Sequence, residues 1–99
     1  MGAHAIRIIA RLRARPGRVE DLQRLLAALL EPTRNEAGCM SYTLLRNRED
    51  PAEFTFVEMW ENETALERHL HADHVQKALE RFPDLLAGEL DMRRYELIG

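Results

Sequence analysis

Residues 5–14 read AIRIIARLRA, a stretch in which apolar side chains alternate with mostly basic ones. Ile8 and Leu12 fall on one face of this stretch, and Arg7 and Arg11 fall on the other. A period of two predicts a β-strand with one face against a hydrophobic core. The Pro-Gly pair that follows two residues later predicts the end of the strand.

After the Pro-Gly pair the hydrophobic period changes to three and four residues, which predicts an amphipathic helix. Pro32 cannot donate a hydrogen bond to the carbonyl of Ala28, so we expect a kink near Glu31. Gly38 predicts a left-handed cap that ends the helix. The apolar stripe of this helix comprises Val19, Leu22, Leu26, Leu29 and Thr33.

The rest of the chain continues the alternation of strand and helix signals, giving the order β-α-β-β-α-β. This order predicts a single α+β domain over residues 1–99, of the ferredoxin-like type with one helix layer on one sheet face. The predicted elements are a strand at 39–48 with Met40, Tyr42 and Leu44 on one face, a strand at 54–61, a helix capped by Asn62 or Thr64, its continuation from Asp73 to Pro83, and a strand at about 89–97.

A single helix layer leaves the second face of the sheet uncovered. In the first strand that face carries Ile9 among arginines. Such a surface is too apolar to remain in water, so we expect a second copy of the chain to cover it in a homodimer. In the third strand the sequence leaves two alternatives for this face: Phe54, Phe56 and Trp60, or Val57 and Met59.

Charge, cysteine content and hydropathy limit the partners and the cellular location that we expect for this protein. The 99 residues carry 14 basic and 17 acidic side chains, a net charge of −3 that attracts no polyanion strongly. The one cysteine, Cys39, cannot form an internal disulfide. The absence of a long apolar run predicts no membrane association, and we expect a cytoplasmic protein.

The arginines of the first eighteen residues raise the alternative of nucleic-acid binding. Arg7, Arg11 and Arg13 share one face of the first strand, where we expect acidic partners such as Glu58 or Glu61. No aromatic residues are interleaved with them, so we predict ion pairs and no nucleic-acid partner.

The histidines lie in the region of the second helix. Their spacing does not match a helical metal motif, because His69 and His74 are five residues apart across a helix break, and we predict no metal site. His69 shares the apolar side of its helix with Leu66, so it is either a core histidine or a functional base. His74 lies in a first helical turn, where the helix dipole favours the neutral ring.

Three aromatic residues come from neighbouring strands: Tyr42, Phe56 and Trp60. They could line a pocket for a flat organic ligand, since rings with polar groups suit such ligands. Ordinary core packing is the alternative for each of them.

Two runs of residues resemble the antibiotic biosynthesis monooxygenase family. The first is PTRNEAGC at 32–39, followed by Tyr42, and the second is FVEMWE at 56–61, followed by the pairs Ala65-Leu66 and His69-Leu70 and by His74. This resemblance implies a dimeric α/β barrel, in which two ferredoxin-like sheets pack face to face.

The resemblance also implies an activity and a set of functional residues. The implied reaction is oxidation of a small electron-rich aromatic (a quinol, phenol or anthrone) by dioxygen, without metal, flavin or other cofactor. A non-catalytic dimeric protein that binds a small molecule is the alternative. The implied catalytic residues are His69, His74 and Tyr42, and the implied substrate-binding residues are Trp60, Arg34, Asn35 and Phe56.

Other members of the resembled family degrade haem or act on a phosphorylated signalling molecule. The haem-degrading members use an asparagine, a tryptophan and a histidine at positions that align with Ala10, His69 and Leu79 here. All three residues differ, so we expect no haem binding.

Overall fold

The structure is a computed structural model that describes residues 5–99. The N-terminal end of the predicted single domain, residues 1–4, lies outside the described residues. Four strands and four helical segments follow one another in the order β1 Ile6–Arg13, α1 Val19–Ala27, α2 Leu30–Arg34, β2 Cys39–Arg46, β3 Glu53–Trp60, α3 Glu63–Leu70, α4 Asp73–Leu85 and β4 Asp91–Tyr95.

The strands form one antiparallel sheet with the spatial order β2-β3-β1-β4. Ala10 lies opposite Phe56 and Ile9 opposite Val57, which fixes the register of the two central strands. The helices cover one face, so the predicted α+β ferredoxin-like fold is confirmed. The side chains buried beneath the helices include Ile8, Leu12, Leu22, Leu26, Phe54, Phe56, Trp60 and Leu66.

The sheet resolves the alternative that the sequence left open for β3. Its helix-facing positions are Phe54, Phe56, Glu58 and Trp60, all of them buried. Val57 and Met59 therefore lie on the uncovered face, beside Ile9 of β1.

The first helical region is broken near its middle. α1 ends at Ala27 and α2 begins at Leu30, slightly before the kink predicted near Glu31. At the break the Leu29 amide bonds to the Leu26 carbonyl, a tighter i−3 bond than that of a regular helix. The break places Pro32 in the first turn of α2, where a missing N–H costs little.

The prediction that Pro83 ends α4 is wrong, because α4 continues to Leu85. The Leu86 amide donates to the Phe82 carbonyl, and the Arg15 side chain donates to the Pro83 carbonyl at 2.7 Å. Arg18 contacts the next carbonyl, that of Asp84, at 3.4 Å. These partners satisfy carbonyls that a helix end leaves free, so the last turn persists.

The edges of the strands also differ from the prediction. A bulge between Cys39 and Ser41 removes Met40 from the face that Tyr42 occupies, and half of the Met40 side chain is exposed. Leu44, which was predicted to share that face, is partly buried. The final strand is shorter than expected, since regular pairing covers only Asp91–Tyr95.

The arginines of β1 do form ion pairs, but with other partners than predicted. Arg11 pairs with Glu53 at 2.7 Å, and Arg13 pairs with Asp50. The expectation of Glu58 is wrong, because alternation along β3 directs it to the helix-covered face. Within residues 5–99, no helix is long and apolar enough to cross a membrane.

Candidate functional site

The site begins at the N-terminus of α3, where Asn62 fixes the start of the helix. The Asn62 side chain accepts a hydrogen bond from the Ala65 amide at 2.9 Å, which confirms one of the two predicted caps. With the helix beginning there, Leu66 and His69 fall on the inward side three residues apart. Both are buried, and His69 is only 4% exposed.

The loop between α2 and β2 supplies a carboxylate to the same place. The Glu36 amide donates to the Thr33 carbonyl, and the Cys39 amide donates to the Glu36 carbonyl. Gly38 has a left-handed φ of +86°, as predicted, but it does not cap the helix, because α2 already ends at Arg34 with Asn35 as its C-cap. A Cβ added at Gly38 would clash with the Cβ of Ala65. Glycine therefore lets this loop pack directly on α3, which brings Glu36 beneath His69.

Glu36, His69 and His74 form a compact group, which we term the Glu-His-His cluster. The Oε2 atom of Glu36 lies 2.9 Å from Nδ1 of His69 and 2.7 Å from Nε2 of His74. The His69 side chain is almost fully buried, whereas a quarter of the His74 side chain remains exposed. One carboxylate oxygen thus holds two imidazole rings, one inside the protein and one near the surface.

Burial and the Glu-His-His cluster together determine the protonation of the His69 ring. Burial lowers the pKa of His69, and its hydrogen bond with Glu36 opposes that shift. A neutral His69 must carry its proton on Nδ1, because the Glu36 carboxylate can only accept. Its Nε2 atom, which has no hydrogen-bond partner within the described part of the chain, then keeps a free lone pair.

Aromatic rings surround His69 on the sheet side. The ring of Trp60 lies 4.5 Å from the His69 ring, and that of Tyr42 meets it edge-on at 5.6 Å. Phe56 stacks on Tyr42 at 4.7 Å. Burial raises the pKa of Tyr42 well above its usual value, so the phenol stays protonated and can donate a hydrogen bond.

A cavity of about 70 Å³ lies between the sheet and the helices, and His69 forms part of its wall. Leu79 and Met92 are 39% and 38% exposed, which identifies them as the rim of the cavity. The remaining wall is mostly apolar and includes Ala10, Leu12, Leu29, Tyr42, Phe56, Val75, Ala78, Phe82 and Leu90.

Glu58 is a second polar group on the cavity wall. It is 5% exposed, and its Oε1 atom accepts a hydrogen bond from Nε1 of Trp60 at 2.8 Å. Burial raises the pKa of Glu58 to about 7, against the effect of the Trp60 hydrogen bond and with a smaller contribution from the charge of Glu36.

The predicted site residues divide into two groups. The structure brings His69, Tyr42 and Phe56 to the cavity, with His74 joined to His69 through Glu36. Trp60 is fully buried beside His69 and does not line the cavity.

Arg34 and Asn35, predicted to bind substrate, are exposed and lie outside the cavity wall. The Nε atom of Arg34 donates a hydrogen bond to the Tyr42 carbonyl, which links the end of α2 to the backbone of β2. Asn35 ends α2 through a backbone bond to Glu31. Neither residue reaches the cavity in the single chain, and their role in substrate binding stays a prediction.

Sequence reasoning missed the two carboxylates of the site. Glu58 had a signal, because strict alternation with Phe56 and Trp60 places it on their face of β3. Glu36 had none beyond its position in the PTRNEAGC run, since its partners are 33 and 38 residues away.

The Glu-His-His cluster is also the one group in the described residues with the composition of a metal site. Its three ligand atoms lie within 4.8 Å of one another, and nitrogen and carboxylate ligands suit a divalent transition metal. The prediction of no metal relied on the helix break between His69 and His74, but the fold brings both rings to one carboxylate. That prediction therefore remains untested.

Comparison with known proteins identifies the class to which this fold and site belong. Residues 5–81 match the family model described as antibiotic biosynthesis monooxygenase. The chain belongs to this family, which confirms the resemblance noted in its sequence.

Individual relatives are similar to the chain, and the name of one of them mentions a monooxygenase. A crystal structure of a Pseudomonas aeruginosa protein is 32% identical, with a TM-score of 0.93 over 100% of this chain and 99% of that one. A Mycobacterium tuberculosis protein, whose name gives it provisionally as a monooxygenase, is 36% identical over 70% of this chain and 67% of its own length. An uncharacterised Synechocystis protein is 29% identical over 91% of this chain, and the match spans 61% of that relative's length.

Proposed function

We propose that the protein is a cofactor-independent monooxygenase that oxidises a small electron-rich aromatic, namely a quinol, phenol or anthrone, with dioxygen. The observation that carries this proposal is the position of His69. Its Nδ1 atom is held by Glu36, while the ring borders an apolar cavity walled by Tyr42 and Phe56. Membership of the monooxygenase family supports the reaction class.

The first step assigned to this site is removal of a proton from the aromatic substrate. Nε2 of neutral His69 accepts the proton, and the Glu36 carboxylate stabilises the imidazolium that forms. The resulting anion is electron-rich enough to pass electrons to dioxygen. An apolar wall around it excludes water, and the Tyr42 phenol is available as a neutral donor to a developing oxyanion.

The electron balance of this reaction requires no external reductant. The substrate loses two hydrogen atoms and gains one oxygen atom, as when the CH₂ group of an anthrone becomes a carbonyl. The second oxygen atom of dioxygen leaves as water with those two hydrogens. The substrate thus supplies all four electrons that dioxygen accepts.

Substrate entry requires the rim of the cavity to move. The volume of about 70 Å³ is smaller than the roughly 150 Å³ of a cavity that holds benzene. Leu79 and Met92 are partly exposed at the rim, and the unbranched Met92 side chain can change rotamer at little cost. We therefore expect these two side chains to be displaced when an aromatic ring binds.

Replacement of His69 tests the proposed base. Oxygen uptake with menadiol or an anthrone should show kcat lowered by about 10²-fold or more in His69→Ala, because the proton acceptor is lost. His71→Ala is the matched control, since His71 follows the same helix with 77% of its side chain exposed. Full turnover per folded His69→Ala molecule, with a lowered melting temperature, would make His69 a core residue only.

The pH profile gives an independent test of the same base. Only the neutral ring accepts a proton, so activity should rise with pH as His69 loses its charge. Because burial lowers the pKa of His69, the midpoint of this rise should fall below the ordinary histidine value of about 6.5. A midpoint well above that value would contradict the assignment.

A non-catalytic small-molecule-binding protein is the second candidate, and the small volume of the cavity favours it. One experiment distinguishes the two candidate functions. Binding of an aromatic ring without oxygen consumption, under aerobic conditions with a reduced quinol, would support the binding protein.

We also propose that a second copy of the chain covers the open face of the sheet. That face carries Ile9, Val57 and Met59 beside the half-exposed Tyr95, around a mostly apolar groove of about 310 Å³ whose wall also includes Arg7. A self-complementary two-fold interface would remove these apolar groups from water. A stable interface of this kind buries more than about 1,200 Å² in total.

A further inference from the structure

Glu58 has no partner that explains a buried carboxyl group at this position. Within residues 5–99 its only side-chain hydrogen bond comes from Trp60, and that bond uses one of its two oxygens. No cationic side chain pairs with it in the described structure. A buried carboxyl group without a cation is costly. Its second oxygen has no hydrogen-bond partner among the described residues, and Glu58 lies on the cavity wall, so that oxygen is available to a ligand.

The charged and titratable groups around Glu58 favour its protonated form. Tyr42 of β2 lies directly opposite it in the sheet, and the neutral Tyr42 phenol brings no positive charge. Beyond the effect of burial, Glu36 adds negative charge from the α2–β2 loop, which raises the pKa of Glu58 further. Burial, and then the charges of Glu36 and Glu58, raise the pKa of the nearby Cys39 thiol, so this thiol brings no positive charge either. His69, the nearby base, has its own carboxylate in Glu36. Glu58 is therefore able to exchange its proton near neutral pH.

We propose that Glu58 is a second proton-carrying group of the cavity, and that it binds a second oxygen of the ligand, remote from the hydroxyl that His69 deprotonates. Glu58 then determines the selectivity of the cavity among the proposed substrates, favouring an aromatic ring with two oxygen functions over a simple phenol. This inference rests on the proposed function and assigns its selectivity to one residue.

The two states of Glu58 suit the two redox states of such a ring. An ionised carboxylate accepts a hydrogen bond from the hydroxyl of the reduced ring. A protonated carboxyl group donates one to the carbonyl of the oxidised ring. One side chain can therefore bind both substrate and product through the same oxygen, without any covalent step.

Affinity measured by calorimetry without oxygen tests the selectivity directly. Hydroquinone should bind the whole protein about three- to tenfold more tightly than phenol, because it forms one additional hydrogen bond. Glu58→Met should bring this ratio close to one. The exposed α4 residue provides the matched control Glu80→Gln, which should keep the ratio of the unmodified protein. A ratio unchanged in Glu58→Met would overturn the proposal.

Fluorescence provides a second measurement that does not depend on ligand or turnover. Trp60 is the only tryptophan, and its Nε1 atom donates to Glu58, so its emission should change as Glu58 ionises. The emission should show an inflection near pH 7 that is lost in Glu58→Gln, which keeps an acceptor for Trp60. Because the ring of His69 also titrates and lies 4.5 Å from that of Trp60, the comparison is made in the His69→Ala background. An inflection near pH 7 that persists there in Glu58→Gln would overturn the proton-carrying role, even if Glu58→Met does not fold.

The two proposals fail in different ways. Selective binding of hydroquinone with no oxygen uptake would remove the monooxygenase function and leave the role of Glu58 intact. Normal oxygen uptake with an unchanged hydroquinone-to-phenol ratio in Glu58→Met would remove the role of Glu58 alone.

Discussion

Two glutamates of the same strand show that the two faces of the sheet shift the pKa of a carboxyl group in opposite directions. Glu53 begins β3 on the uncovered face, where Arg11 and Asn47 donate to it at 2.7 and 2.8 Å. These hydrogen bonds, that of Asn47 first, lower the pKa of Glu53. Glu58 lies five residues later on the helix-covered face, where burial raises its pKa to about 7.

The difference between the two faces separates the surface ion pairs from the candidate site. On the uncovered face acids and arginines neutralise one another in contact with water, and such pairs add little net stability. On the covered face Glu58 lacks a cation and Glu36 contacts both His69 and His74, and the proposed proton transfers rest on this arrangement. The unpaired and shared carboxylates mark the site, although most charged residues lie elsewhere.

The largest expected effect tests the uncovered face as an interface. Val57→Arg would place a cation beside Arg7 and Arg11 in both copies, and like charges in an interface cost several kcal/mol. We expect the dimer dissociation constant to rise by about a thousandfold or more. Light scattering at micromolar concentration should then give a monomer mass.

The control for Val57→Arg is Glu80→Arg, which adds the same charge on the helix side and should leave the dimer intact. If the unmodified protein is itself a monomer at micromolar concentration, the proposed interface is wrong.

The next effect concerns the packing that brings Glu36 to His69. Gly38→Ala should lower the free energy of unfolding by about 4 kcal/mol, because it combines left-handed backbone strain with a clash against Ala65. Gly17→Ala is a matched control with a φ of +80° and no atom near the added Cβ. It should cost only about 1 kcal/mol. Equal losses in denaturant titrations would contradict the role of close packing.

The contrast between the two glutamates predicts an unusual dependence of stability on pH. Glu58 has a higher pKa in the folded protein than its ordinary value of 4.5, so the folded state binds more protons between pH 4.5 and 7. Its contribution to stability therefore falls as pH rises through this range. Glu58→Gln should be more stable than the unmodified protein at pH 8, by about 3 kcal/mol, and lose this advantage near pH 4.

Denaturant titrations of both proteins from pH 4 to 8 measure this difference. A constant gap between the two across the range would show that Glu58 titrates normally in the folded protein.

The smallest effect is expected at Glu53, with the opposite sign. Its lowered pKa contributes stability above its ordinary value of 4.5, and this contribution is lost as pH falls through the folded pKa. Glu53→Gln should therefore destabilise the protein at pH 7, by less than about 1 kcal/mol, and 1 M salt should reduce the effect. A loss as large as that of a core substitution would show that Glu53 is not simply a solvated ion pair.

Local features of the fold were accessible from the sequence because they depend on near neighbours. The alternation of β1 correctly predicted which side of that strand is buried. Residue chemistry narrowed the cap of α3 to Asn62 or Thr64, and it predicted the left-handed φ of Gly38 but not that α2 ends before it. Two runs of residues, at 32–39 and 56–61, were enough to predict the family. The monooxygenase activity within that family stays a proposal.

Other features depend on residues that are distant in the sequence. The end of α4 is extended by Arg15, which reaches its last turn from 68 positions earlier. The orientation of β3 was ambiguous because both of its faces carry apolar side chains, and only packing against the helices selects one. Arg34 lies near the site in sequence, but its side chain bonds to the β2 backbone.

The sequence by itself determined the order of elements, the buried face of β1 and the family. These depend on hydrophobic periodicity and on backbone preferences within a few residues. Only the tertiary structure decided that Glu36 meets His69 and His74, and that Glu58 is buried on the wall of the cavity. The pKa of a carboxyl group depends on burial and on neighbouring charges, and both arise from contacts that the folded chain alone creates.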